Sequence, residues 1–158
     1  MATIRDLLYH LASNYPNPKH LSKARVTKMV YLADWKHSID YGDQITDIEW
    51  YFNNHGPFVW DVFETARDNS DLFEVDNTEN FYGEQKTLIK ARPVDFIPDL
   101  NDTETKVADH VIKATSDLDW SRFINLVYST YPVVSTDQYN RLNLPQLAGE
   151  YKRSPAFK

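Results

Sequence analysis

Cysteine is absent from the sequence. That removes a disulfide framework, a thiolate nucleophile and every cysteine-based zinc finger, and it fits a reducing compartment. Glycine is scarce, with 4 residues in 158. None falls in a Gly-x-Gly-x-x-Gly, Gly-x-x-x-x-Gly-Lys-Ser/Thr or Gly-x-Ser-x-Gly pattern, so neither a phosphate-cradling loop nor a nucleophile elbow is expected. No run approaches the roughly 18 apolar residues that a membrane helix needs. The first residues, MATIRDLLYHL, are interrupted by Arg5, Asp6 and His10, unlike the apolar core of a signal peptide. Basic clusters are missing too. With a net charge of −6 at pH 7, the chain is a poor candidate for binding nucleic acid through its bulk field. The expectation is a soluble cytoplasmic protein with no nucleic-acid partner, no membrane attachment and no cofactor.

What the sequence has is aromatic residues, 10 Tyr, 8 Phe and 4 Trp, which serve equally in cores and in binding surfaces. At 158 residues the chain suits one domain, residues 1–158, large enough to bury about two-thirds of its unfolded surface. Its organising stretch runs from Lys23 to Val59. Val26, Met29, Val30 and Ala33 recur at helical spacing on one side, Tyr31, Trp35 and Ile39 on another, with Leu32 between. A helix apolar over most of its circumference is buried over most of it. The helix near residues 24–39 is therefore expected at the centre of the fold, with Ser22 as its N-cap and Tyr41-Gly42-Asp43 as its stop.

Around it, residues 3–15 read as a helix capped by Thr3, with Ile4, Leu7, Leu8 and Leu11 inward. Residues 48–53 alternate as a strand, and Pro57 is placed to open a helix that runs to about Asp68. Leu72–Val75 and Thr87–Ala91 read as the arms of a hairpin, with turn residues at Asp76–Asn80 and at Tyr82-Gly83-Glu84. Together with the Trp50 strand they predict one antiparallel sheet of about three strands. Pro93–Pro98 is an extended connector. A helix over about 103–117, capped by Asp102 or Thr103, follows, and then one over about 120–130, capped by Asp119, with Trp120, Phe123, Ile124, Val127 and Tyr131 inward. Residues 131–158 form a tail with an apolar patch at Leu142, Leu144 and Leu147, and then Glu150-Tyr-Lys-Arg-Ser-Pro, either a docked last helical turn or a partly ordered end. The predicted fold class is α+β, mainly α: a helical domain around a buried helix with a small antiparallel sheet.

The order Lys28, Met29, Val30, Tyr31, Leu32, Ala33, Asp34, Trp35, His37, then Gly42, Ile45, Thr46, Trp50, Gly56 and Pro57, resembles the Panacea domain, the SocA-like antitoxin family. In that pattern Lys28, Tyr31, Leu32, Asp34, Trp35, His37, Gly42, Trp50, Gly56 and Pro57 are signature positions, read here as mainly structural. Past the sheet, Asp102–Ile112, Trp120–Tyr128 and Tyr131-Pro132 occupy the places of the family's later helices and its proline stretch. The segment Asn125–Thr130 lacks the His expected before the proline. The resemblance implies an antitoxin of a bacterial or phage-borne toxin–antitoxin pair. Such a protein binds and blocks a cognate toxin, the product of an adjacent gene, with no chemistry of its own. An interaction protein of a phage or mobile element that binds a host factor is the alternative, and a small metal-dependent hydrolase the third.

The chemical alternative rests on Asp34 and His37, three apart on one helix face, with His55 as a further member. A polar pair that fixes the buried helix is the preferred reading. The histidines at 10, 20, 37, 55 and 110 show no i, i+3 or i, i+4 pair, so no metal site is announced. Trp50, Tyr51 and Phe52 alternate across their strand, which sets Tyr51 opposite its neighbours. One face is a potential contact surface, and a helix covering both faces is the competing arrangement. Trp50, Tyr51, His55 and Trp60 form the expected partner-binding set, because aromatic residues anchor interfaces. The acidic balance also suits a basic partner.

Overall fold

Thirteen of the nineteen residues of the helix Lys23–Tyr41 are buried, and the other elements pack around it. The computed structural model describes residues 2–79, 83 and 85–154. In chain order the elements are α1 (Ile4–Asn14), a 3-10 turn (Pro18–His20), α2 (Lys23–Tyr41), β1 (Trp50–Asn53), β2 (Gly56–Pro57), α3 (Asp61–Asp68), β3 (Phe73–Glu79), β4 (Gln85–Ala91), α4 (Asp102–Thr115), α5 (Trp120–Tyr128), α6 (Tyr131–Ser135), β5 (Arg141–Leu142) and α7 (Leu144–Arg153). The class is α+β and mainly α, as the sequence predicts.

The ends of α2 are fixed locally. The Ser22 hydroxyl accepts from the Arg25 N–H at 3.1 Å, and Gly42 stops the helix with φ +90, its N–H donating to the Ser38 carbonyl. Between the caps, Val26, Met29, Val30, Tyr31 and Ala33 are fully buried. Each large side chain among them contributes about 1.5–3 kcal/mol through burial. Helices α1, α3, α4 and α7 and strand β4 all pack on α2. The hairpin β3–β4 is tied to the start of α2 through the Ile89 N–H, which donates to the Leu21 carbonyl at 3.0 Å.

Several boundaries differ from the sequence expectation. The predicted single sheet is two: β2-β1-β5 is one antiparallel sheet and β3-β4 another. The missing partner of β1 lies in the tail, where Leu142 pairs with Trp50 and Arg141 with Tyr51. The predicted turn residues Asp76–Glu79 continue β3, paired with Gln85–Leu88, while Asn80, Tyr82 and Glu84 lie outside the described residues. Pro57 does not open a helix. It pairs with Phe52 in a two-residue strand, an edge position where proline's missing donor is tolerated, and α3 begins at Asp61. The α4 cap is Asn101, which forms a capping box with Glu104, and Trp120 points outward, 48% exposed. Thr3 and Asp119 cap α1 and α5 as expected. The tail holds a strand and the helix α7, which docks on α2 through Tyr151 against Trp35, ring centroids 5.7 Å apart. Pro155 lies outside the described residues.

Candidate functional site

Asp34 is the first polar knot, and it faces inward. Its Oδ1 accepts the backbone N–H groups of Ile45 and Thr46, each at 3.0 Å. Its Oδ2 accepts the Thr46 hydroxyl at 2.6 Å and Trp50 Nε1 at 2.9 Å, with Gln44 Nε2 at 3.5 Å. Burial pushes this carboxyl up to about 6, with the bonds from Thr46, Trp50 and Ile45 opposing the rise. Asp34 thus bends the chain after Gly42 back onto α2 and aims the strand β1. His37 is not its partner. The His37 Nδ1 lies 2.7 Å from the Asp43 carbonyl, to which it donates, and Nε2 lies 2.9 Å from Thr103 Oγ1. The expected Asp34–His37 pair is therefore two separate ties, one to β1 and one to α4. Tyr31 completes the set, its hydroxyl 2.8 Å from Thr130 Oγ1 and its ring edge-on to Trp50. Burial raises its phenol.

These ties leave no open acid–base pair. Asp34 is shut off from solvent, and both ring nitrogens of His37 are engaged. His55 sits elsewhere, in the turn between β1 and β2. Among the described residues no group of three His, Cys, Asp or Glu side chains is disposed to hold a metal ion, and no helix is long and apolar enough to cross a membrane.

One open cleft lies at the amino-terminal half of α2. A cleft of about 430 Å³ is lined by Ala24 and Lys28, by Asn53, Asn54, His55 and Phe58, and by Trp60 and Tyr139. Lys28 follows Ala24 by one helical turn, so the two share a face. The β1–β2 turn supplies one wall, and Gly56 closes it with φ +93 where a side chain would be strained. Tyr139 joins the same wall from the tail. Its backbone is left-handed at φ 71, its N–H donates to the Phe52 carbonyl at 2.6 Å, and its hydroxyl donates to Asn54 Oδ1 at 2.7 Å. Phe58 and Trp60 meet edge-on at 5.3 Å, with Lys23 Nζ 4.8 Å from the Trp60 ring centre. Inside, Lys28 is 2% exposed and its Nζ lies 5.6 Å from the centre of the Phe58 ring. Burial lowers its ammonium to about 8.

Across Ala24 a second cleft is lined by His20, Ser22, Arg25, Gln85, Lys86, Asp119 and Trp120. Arg25 is buried there, its Nη2 donating to the Thr115 and Leu118 carbonyls and to the Tyr15 hydroxyl, its guanidinium 4.5 Å from the centre of the Phe123 ring. Burial lowers the His20 imidazole, with Arg25 and Lys86 adding to the effect.

The sequence-based partner set is thereby divided. His55 and Trp60 line the first cleft, Trp60 at 55% exposure. Tyr51 is exposed on the outer face of β1, so no helix covers that face at Tyr51. Trp50 is fully buried and bonded to Asp34, so it belongs to the core and not to a contact surface. Sequence reasoning missed Lys28 as a cleft residue, and it missed Tyr139 and Trp120. Lys28 carried a signal, a lysine on a helix face that is otherwise buried. Tyr139 carried none, because its place depends on the tail returning to β1.

The arrangement offers buried cations, aromatic walls and amide groups, chemistry that recognises another molecule's acidic and apolar groups. No curated protein and no solved structure gives a significant match. The sequence model of the family described as antitoxin SocA-like, Panacea domain, matches residues 26–132, a span from α2 through α5 into α6 that holds the Asp34 knot, both His37 ties and Lys28. The chain belongs to that family.

Proposed function

We propose that this protein is a non-catalytic antitoxin that binds a cognate toxin protein and blocks it by direct contact, acting as one domain in the cytoplasm. The observation that carries the reading is the surface around Ala24. Trp60 and Tyr139 on one side and Trp120 on the other are all about half exposed or more, and they border two adjoining clefts on the start of α2. Tryptophan and tyrosine at such density are anchors of protein interfaces, and here they border the start of α2, a helix held by caps and by the Asp34 and His37 ties. Family membership supports the same conclusion. Recognition by a rigid surface needs little rearrangement, which suits tight blocking of a partner.

Co-expression tests the proposal. The product of the neighbouring gene should arrest growth alone and be tolerated together with this chain, and the two should co-purify. A neighbour that is harmless by itself refutes it.

A further inference from the structure

The buried side chains of Asp6, Arg25, Lys28, Asp34, His37 and Glu104 carry charge or an imidazole. Five of them are hydrogen-bonded inside the protein: Asp6 and Glu104 in capping boxes, and Arg25, Asp34 and His37 as described above. Lys28 is the exception. Among the described residues no acceptor and no carboxylate bonds its Nζ, whose one close electrostatic contact is the Phe58 ring. Holding an ammonium on a side chain only 2% exposed, with no hydrogen-bonding partner among the described residues, is costly. This ammonium also lines the open cleft.

On the reading that this face binds a toxin, we infer that the Lys28 cleft is a socket for one carboxylate side chain, an Asp or Glu of the bound protein. Three features select that occupant. The cleft presents a single buried cation, which one carboxylate neutralises. The Asn54 amide, whose Oδ1 is held by the Tyr139 hydroxyl so that its Nδ2 remains to donate, and His55 stand at the same opening, beside Asn53, whose Nδ2 already donates to the Phe58 carbonyl. The chain as a whole carries a net charge of −6, so its field repels polyanions such as nucleic acid while admitting a basic protein that bears one acidic side chain at the contact. The aromatic walls Phe58 and Trp60 exclude water around the pair, which strengthens it.

The test uses the full chain and the protein encoded beside its gene. Lys28→Met, which keeps length and apolar stem, should weaken the complex at least ten-fold while the free protein's Tm stays level or rises. Each Asp and Glu of the partner is then changed to Asn or Gln. One of these changes should cost at least ten-fold with the wild-type chain and add nothing to Lys28→Met, which is the non-additivity of a direct contact. A wild-type chain that fails to bind the neighbour defeats the antitoxin reading itself. A wild-type chain that binds while Lys28→Met binds equally well defeats only the socket. If Lys28→Met does not fold, the partner scan against the wild-type chain decides: one sensitive carboxylate supports the socket, and none overturns it.

Discussion

Replacing Asp34 separates the two forces that act on it. In Asp34→Ala the N–H groups of Ile45 and Thr46 and the indole N–H of Trp50 lose their acceptor in a dry interior. Each orphaned donor costs about 1–3 kcal/mol, so the loss is roughly 3–9 kcal/mol. Against this stands relief from burying a charge. The carboxyl raised from 3.8 to about 6 corresponds to a relief of about 3 kcal/mol. The balance is a net destabilisation of roughly 0–6 kcal/mol, and its middle value of about 3 kcal/mol lowers Tm by roughly 6–12 °C for a chain of this size. Asp34→Asn keeps an oxygen for Ile45 and Thr46 and orphans mainly Trp50, so it should fall well short of the alanine variant. The pH dependence supplies an independent check. A carboxyl with a raised folded-state pKa binds its proton more tightly when folded, so its stabilising contribution is complete below about 3.8 and is lost as pH rises through about 6. Urea unfolding of the wild type and Asp34→Asn should therefore show the wild type losing ground to the variant between pH 4 and 6. An alanine variant more stable than wild type, or a wild-type–asparagine difference that is flat over that window, would refute the reasoning.

The other expectations concern the cleft and the backbone. Lys28→Met should stabilise the free protein by about 3 kcal/mol at pH 7, from the ammonium lowered from 10.5 to about 8, less the lost Phe58 contact. A base with a depressed pKa costs stability below that value and ceases to do so as pH rises toward 10.5, so the advantage should shrink across pH 8–10.5 in thermal melts; His55 and Tyr139, the other titratable residues lining the cleft, are both exposed. Gly56→Ala should destabilise more than Gly42→Ala in urea titration. Both have positive φ, at about 1–2 kcal/mol each, but a Cβ on Gly56 also meets the Tyr128 ring at 3.3 Å, whereas one on Gly42 meets nothing within 4 Å. Trp60→Ala should leave the unfolding midpoint nearly unchanged and weaken binding of the neighbouring gene's product by at least ten-fold, measured by calorimetry.

The sequence made the centre of the molecule legible because α2 is specified by local signals: continuous apolar periodicity, a serine ahead and a glycine behind. Asp119 and Thr3 were readable for the same reason, since an N-cap acts within three residues. The hairpin β3–β4 was readable from its arms, but the sheet around β1 was not. Strand β1 pairs with Arg141–Leu142, a two-residue contact formed across most of the chain, and nothing in so short a strand announces its partner. The error at Pro57 has a related origin, because a proline after Gly56 suits either a helix start or an edge strand, and the tertiary pairing with Phe52 selects the second. For the site, spacing put Asp34 and His37 on one helix but could not show that each points to a different neighbour. Tryptophans posed the opposite difficulty. Trp50, Trp60 and Trp120 look alike in sequence, and only the acceptor beneath Trp50 turns it inward.

Lys28 and the acidic exterior point in opposite electrostatic directions, and the two act at different distances. Exposed charges are felt over about a Debye length, roughly 8–10 Å at ordinary ionic strength. The net negative surface therefore governs which proteins approach and how fast. A buried ammonium contributes little at that range. It acts on contact, once the aromatic walls have excluded water and the effective dielectric has dropped. A basic partner without a carboxylate at the right place would be drawn in but would leave the ammonium desolvated and unpaired, a cost that shows in dissociation rather than association. The same surface can thus collect basic proteins broadly and retain the few that present an acid to Lys28. Raising the salt concentration should slow association of the cognate complex much more than it speeds dissociation, whereas Lys28→Met should do the reverse. Stopped-flow measurement of both rates checks this, and a Lys28→Met effect confined to the association rate would show that the lysine acts only through the long-range field.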